Sequence, residues 1–170
     1  MALVVSILFI GITATKLSAK LKVGKTAPDF TLKDELGNAR TLKEFRGKTV
    51  VLYFFPYANS TLSPHCTKQA CNFNSDLVKF TENDIVVLGV SFDEVKDLKK
   101  FKNKNHLGFT LLSDHDKKIA KKYGAYTWWF PLFPNRKTII IDKIGKVQKI
   151  MKNVDAASNA RDVLTALGIN

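Results

Sequence analysis

Thr49 to Phe55 reads TVVLYFF, seven residues with no break in their apolar or β-branched character. A strand with one wet face alternates polar and apolar residues, so an unbroken run of this kind belongs in a sheet covered on both faces. Ile85 to Phe92, IVVLGVSF, makes the same demand. Between the two runs the spacing predicts a helix over Pro64 to Phe80, and a second helical pattern follows from Glu94 to Asn105. A short strand is expected at Phe109 to Leu112, and a short helix at His115 to Tyr123, ended by Gly124. Lys137 to Met151 reads as a hairpin that turns at Asp142 to Gly145 and puts Ile139 to Ile141 in the core. Ala156 to Leu167 closes the chain as a helix stopped at Gly168. The order strand, helix, strand, followed by a terminal hairpin and helix, predicts an α/β fold with a mixed central sheet flanked by helices on both faces. With 170 residues, 45% of them hydrophobic and 12 of them Phe, there is material for one well-buried core. One domain is therefore expected, over residues 21–170.

Residues 1–20 stand apart. Ala2 to Ala14 is apolar except for Ser6 and Thr13, a run that suits a signal-like segment and is shorter than the roughly 20 residues that span a bilayer. Its basic residues, Lys16, Lys20, Lys22 and Lys25, follow the apolar run, where an export signal wants positive charge in front. Three readings stay open: a weak export signal, a membrane tether through residues 1–19, or an extension of little consequence. The corresponding locations are exported or membrane-associated, with cytoplasmic as the alternative. The 27 Lys and Arg against 15 Asp and Glu give a net charge of +12. The lysines are scattered along the chain, without a recognition-helix signature, which argues against nucleic acid and for a solvated basic surface that favours acidic partners.

The chemistry is concentrated in SPHCTKQAC, Ser63 to Cys71, which contains both cysteines of the chain. Ser63 can cap a helix, Pro64 suits its first position, and Cys66 then falls in the first turn. A thiolate there faces unpaired backbone N–H groups and the positive end of the helix dipole, which lower a thiol's pKa. Cys71 lies five residues on, so in an intact helix the two Cα atoms are roughly 8.6 Å apart. A disulfide needs less than about 7 Å. Bridging would require the turn to unwind, which suits a redox cycle better than a structural staple. Against this, Cys66, Ala70, Phe73, Leu77 and Phe80 follow helical spacing and could form one core stripe. Structural cysteines and a redox pair both remain open at this point. Zinc is disfavoured, since His65, His106 and His115 do not join the thiols at a familiar ligand spacing, and no phosphate- or dinucleotide-binding glycine pattern occurs.

From Val23 onward the chain resembles the peroxiredoxins, in particular the peroxiredoxin Q or bacterioferritin comigratory protein subgroup. The resemblance rests on VGKTAPDFTLKDELGN, VVLYFFP, SPHCTKQACNF, GVSFD, LLSD, AKKYGAY and RKTIIIDKIGKV, in that order. It implies a thioredoxin-like fold and a thiol peroxidase that reduces hydrogen peroxide and organic hydroperoxides. It further implies no metal, haem or flavin, recycling by a thioredoxin-like dithiol protein, and a monomeric or weakly associating state. By the same resemblance Cys66 is the peroxidatic nucleophile and Cys71 the resolving partner, and Arg136 stabilises the thiolate and the peroxide's developing charge. Ser63 stands where the family usually has Thr, to orient the peroxide, to cap the helix, or both. The family's proline seven residues before the cysteine is Asn59 here, and Pro56 lies ten before it. Pro56 and Pro64 are the candidates for shielding the substrate pocket. A rival on the same fold is a thiol–disulfide oxidoreductase, whose Cys-x-x-Cys spacing differs from the Cys-x-x-x-x-Cys here. Another is a redox-sensing binding module. Tyr126 to Pro134, YTWWFPLFP, is read as a loop packed on the sheet, as an apolar rim for bulky hydroperoxides, or as a dimer contact.

Overall fold

The computed structural model describes residues 21–56, 64–129 and 131–169, the side chains of 64–66 excepted. Ser63, residues 1–20 and the loop residues 57–62 lie outside it. Its seven strands are β1 (Thr31–Asp34), β2 (Ala39–Thr41), β3 (Thr49–Phe54), β4 (Ile85–Ser91), β5 (Thr110–Ser113), β6 (Lys137–Ile141) and β7 (Val147–Lys152). The helices are α1 (Pro64–Ser75), α2 (Leu77–Glu82), α3 (Val95–Lys104), α4 (Lys118–Tyr123) and α5 (Asn159–Ala166), with a 3-10 turn at Leu42–Phe45. The strands form one mixed sheet in the order β2-β1-β5-β4-β3-β6-β7. β3, β4 and β5 run parallel, and the remaining pairings are antiparallel.

The unbroken run in β3 has the cause its sequence predicts. Side chains alternate between the two faces of a strand, and both faces are covered here. Val51, Tyr53 and Phe55 enter a core with Phe73, Phe80, Leu98, Phe101 and Val163, contributed by α1, α2, α3 and α5. Val50, Leu52 and Phe54 enter a second core with Phe30, Leu42, Ile119 and Tyr123. Gly89, opposite Tyr53 in the β3–β4 register, leaves room for the tyrosine ring, because a Cβ there would lie 2.8 Å from the Tyr53 hydroxyl.

Three helices differ in their bounds from the sequence reading by more than one residue. The helix expected over Pro64 to Phe80 is broken at Asp76, whose φ of −92° and ψ of 7° leave the helical region. Local polar side chains account for the break. Ser75 Oγ bonds back to the Cys71 carbonyl at 3.0 Å, while Asn74 is drawn sideways, its Oδ1 accepting from the Gly108 N–H at 2.7 Å. The short helix begins at Lys118 rather than His115, since Lys117 is left-handed and the buried carboxylate of Asp114 caps the Ile119 and Ala120 N–H groups. The last helix likewise starts at Asn159 rather than Ala156. The N-terminal hairpin of β1 and β2 had no expectation attached to it. Its turn is built on Asp34, whose Oδ1 accepts from Leu36 and Asn38 at 2.9 Å each, with Gly37 supplying a φ of +89°.

Candidate active site

The parallel strands β3 and β4 deliver the chain to one end of the sheet, and α1 begins there after the loop that follows Pro56. Cys66 is the third residue of α1, within the turn whose N–H groups have no helical acceptor, and that turn carries no acidic residue. The local field therefore favours an anion at this position. Cys71, in the same unbroken helix, is a half-buried free thiol. The stripe of Ala70, Phe73, Leu77 and Phe80 does face the core, with Phe73 stacked on Tyr53 at 4.7 Å. Cys71 stands beside this stripe rather than in it.

Arg136 immediately precedes β6, and Lys137 pairs with Phe54, so Arg136 is carried to the end of β3 from which the chain leaves for α1. Its Nη1 donates to Gln69 Oε1 at 2.6 Å. Gln69 is three residues after Cys66, one turn along the same helix face. The structure thus brings the arginine and the cysteine-bearing turn together, where the sequence without the resemblance offers only a charged residue at a strand edge. Pro56 is buried at the end of β3, and Pro64 is the first residue of α1.

Gln69 itself was not anticipated. It is fully buried, and its Nε2 donates to Asn159 Oδ1 at 2.9 Å, an oxygen that also accepts from Thr138 Oγ1 at 2.8 Å. Next to it Asn72 Nδ2 donates to the Ala157 carbonyl at 2.7 Å. These contacts fasten Gln69, between the two cysteines, and Asn72, just after the second, to the segment that starts β6 and to the start of α5. The Asn159 Nδ2 group is buried without a hydrogen-bond partner. The available signal was a glutamine directly before Ala70 of the apolar stripe, a polar residue at the edge of a core-facing row. Its partners lie 67 and 90 residues away in sequence, beyond what spacing reveals.

Beside Arg136 runs an open groove of about 750 Å³, lined by Leu21, Lys121, Lys122, Lys137 and Lys152 among others, with no carboxylate in its wall. Lys137 is buried there and donates to the carbonyls of Tyr123 and Gly124 at the end of α4. Burial first, then the like charge of Lys152, push its pKa down. Tyr126, Thr127 and Pro134 pack against the domain, but Trp128 and Trp129 are 76% and 72% exposed, which corrects the reading of Tyr126 to Pro134 as a loop packed on the sheet for its middle residues. Among the described residues no group of three or more His, Cys, Asp or Glu could hold a metal ion. No described helix is long and apolar enough to cross a membrane.

The sequence profile of the AhpC/TSA family matches residues 23–150. Chloroplastic peroxiredoxin Q of Oryza sativa subsp. japonica is 44% identical over 134 residues, which make up 79% of this chain and 60% of the rice protein. The chain thus spans about three fifths of the length of that curated relative. Among solved structures, peroxidoxin BcpB from Mycobacterium tuberculosis superposes with a TM-score of 0.79 at 30% identity, covering 87% of this chain and 97% of that one. Xanthomonas campestris bacterioferritin comigratory protein, studied for its alkyl peroxide reduction activity, superposes with a TM-score of 0.77 at 27% identity, covering 87% and 96%. The seven-stranded mixed sheet with its helices is that of these thioredoxin-like peroxiredoxins.

Proposed function

Since this chain belongs to the AhpC/TSA family, we propose that it is a thiol peroxidase whose nucleophile is Cys66 and whose resolving thiol is Cys71. The observation that supports the reading is Arg136 bonded to Gln69, one turn along α1 from Cys66, which holds a fixed cation against the only helix among the described residues that bears a cysteine. The Cys66 thiolate attacks the terminal oxygen of a hydroperoxide, the O–O bond breaks, and the alkoxide or hydroxide leaves with a proton as alcohol or water. The cysteine is left as a sulfenic acid. The helix dipole and the guanidinium favour the thiolate and the charge that develops on the departing oxygen. Ser63 orients the peroxide or caps α1, and Pro56 and Pro64 flank the entry.

Cys71 then attacks the sulfenic sulfur, water departs and a disulfide forms. Because α1 is continuous from Pro64 to Ser75, the turn from 66 to 71 must unwind first. A thioredoxin-like dithiol restores both thiols by exchange. Residues 21–170 form the catalytic unit, and residues 1–20 a separate leader or tether that places it in an exported or membrane-associated setting. One chain carries both cysteines, so a monomer suffices.

Stopped-flow oxidation of the reduced protein by one equivalent of hydrogen peroxide, with thiol counting and mass spectrometry, tests this reading. Rapid loss of two thiols with a Cys66–Cys71 disulfide is expected, and Cys66→Ser should abolish it. Oxidation no faster than that of an ordinary free thiol would remove the peroxidase reading in favour of dithiol exchange or sensing.

A further inference from the structure

We propose that the loop from Tyr126 to Pro134, together with the basic groove beside it, is a docking surface for an anionic lipid bilayer. The loop is closed at its base. Its ends are joined by the Asn135 N–H donating to the Ala125 carbonyl at 2.8 Å and by Asn135 Nδ2 donating to Thr127 Oγ1 at 2.5 Å. At its tip Trp128, Trp129 and Leu132 stand in solvent, with Leu132 56% exposed and the two indoles edge to face at 5.6 Å. Large apolar groups held out in this way lose nothing by entering the interfacial region of a bilayer, where tryptophan is favoured.

The charges fit the same partner. Lys117 Nζ donates to the Pro131 carbonyl at 2.9 Å, and Lys121 Nζ lies 4.8 Å from the centre of the Tyr126 ring, so both ammonium groups border the loop. The adjoining groove adds Lys122, Arg136, Lys137 and Lys152, again without a carboxylate. The neighbouring acid, Asp116, is paired with Lys118 at 2.8 Å. An apolar tip ringed by cations matches acyl chains beneath anionic headgroups, whereas an acidic protein would use the cations and leave the indoles wet. Chain connectivity points the same way. Leu21, the residue through which the apolar leader joins the domain, lines this groove. Leader and loop therefore meet the domain at one side and can engage one surface, and stable attachment takes two such signals.

The two tryptophans of the chain are Trp128 and Trp129, so intrinsic fluorescence reads this loop alone. The full-length protein is titrated with phosphatidylcholine vesicles, with and without phosphatidylglycerol, while emission wavelength and acrylamide quenching are followed. The expected result is a blue shift and loss of quenching with the anionic vesicles only. The apparent affinity should fall about fivefold for each lysine removed in Lys121→Gln and Lys122→Gln. Unchanged emission while the protein floats with the vesicles would mean that the leader alone binds, and would overturn the proposal. So would an equal shift with neutral vesicles. Emission that is already blue without lipid also overturns it: if concentration-dependent the loop is covered by a second copy, and if not, by the chain's own leader. This readout is independent of peroxidase activity.

Discussion

Replacing Gln69 with Met keeps the length and volume of the side chain and removes both of its hydrogen bonds. In the reduced protein these are the charge-assisted bond from Arg136 and the neutral bond to Asn159. Net values of about 1.5–3 and 0.5–1.5 kcal/mol give about 2–4.5 kcal/mol together. Both bonds depend on residues 66–71 being helical, so the disulfide form has already given them up. Gln69 therefore stabilises the dithiol against the disulfide and makes the pair a stronger oxidant. Gln69→Met should shift the reduction potential about 40–100 mV more negative, at 30 mV for each 1.4 kcal/mol. It should lower the urea stability of the reduced protein by the same energy while leaving the oxidised protein nearly unchanged. Equilibration against dithiothreitol couples with thiol quantification measures the first, and paired urea titrations the second. A potential within about 10 mV of wild type, in a variant that still folds, would show that unwinding does not pass through Gln69.

Arg136→Ala should slow the peroxide step about 100-fold without unfolding the domain, as removal of a group that stabilises developing charge does; a wild-type stopped-flow rate constant would take Arg136 out of the chemistry. Glu35 is buried, bonded to Lys102 and to the Leu111 N–H, so Lys102→Met strands its charge and should cost about 3 kcal/mol in urea unfolding. Asp34 contributes an acid limb to stability. Burial pushes its pKa up, but the Asn38 and Leu36 N–H groups, the Asn38 amide and Arg40 outweigh that and hold it below the ordinary 3.8. Its contribution is thus fully present above about pH 4 and is lost as the pH falls through the lowered value. Thermal unfolding of Asp34→Asn between neutral and acid pH should show a flatter decline than wild type, and an identical decline would contradict the assignment.

How far the sequence reached depended on the range of the interaction. Unbroken apolar runs located β3 and β4 because a two-sided core leaves no position for a polar residue. Gly124 and Gly168 ended helices as read, both at positive φ. Local competition was harder to foresee. Ser75 and Asn74 look like ordinary helix-surface residues until one sees which backbone groups they engage, and the N-terminal hairpin hangs on a single carboxylate, Asp34. In the site, Cys66 and Cys71 stood out by spacing, and Arg136 by resemblance. Gln69, Asn159 and Thr138 were illegible, because a buried polar chain is defined by residues that meet only after the sheet has formed.

The break at Asp76 limits how far opening can spread. α2 is anchored independently, with Phe80 in the core, and the chain at Asp76 already lacks helical geometry. Melting that starts at Pro64 can end at this joint without passing into the next segment. The amides of Thr67 to Ser75 should therefore exchange with deuterium below the energy of global unfolding, those up to Cys71 first because Phe73 is stacked on Tyr53 in the core, while those after the joint follow global unfolding. Each turnover would then unwind the turn from 66 to 71, and at most the roughly three turns of α1, and leave the sheet and the arginine in place, ready for the turn to rewind.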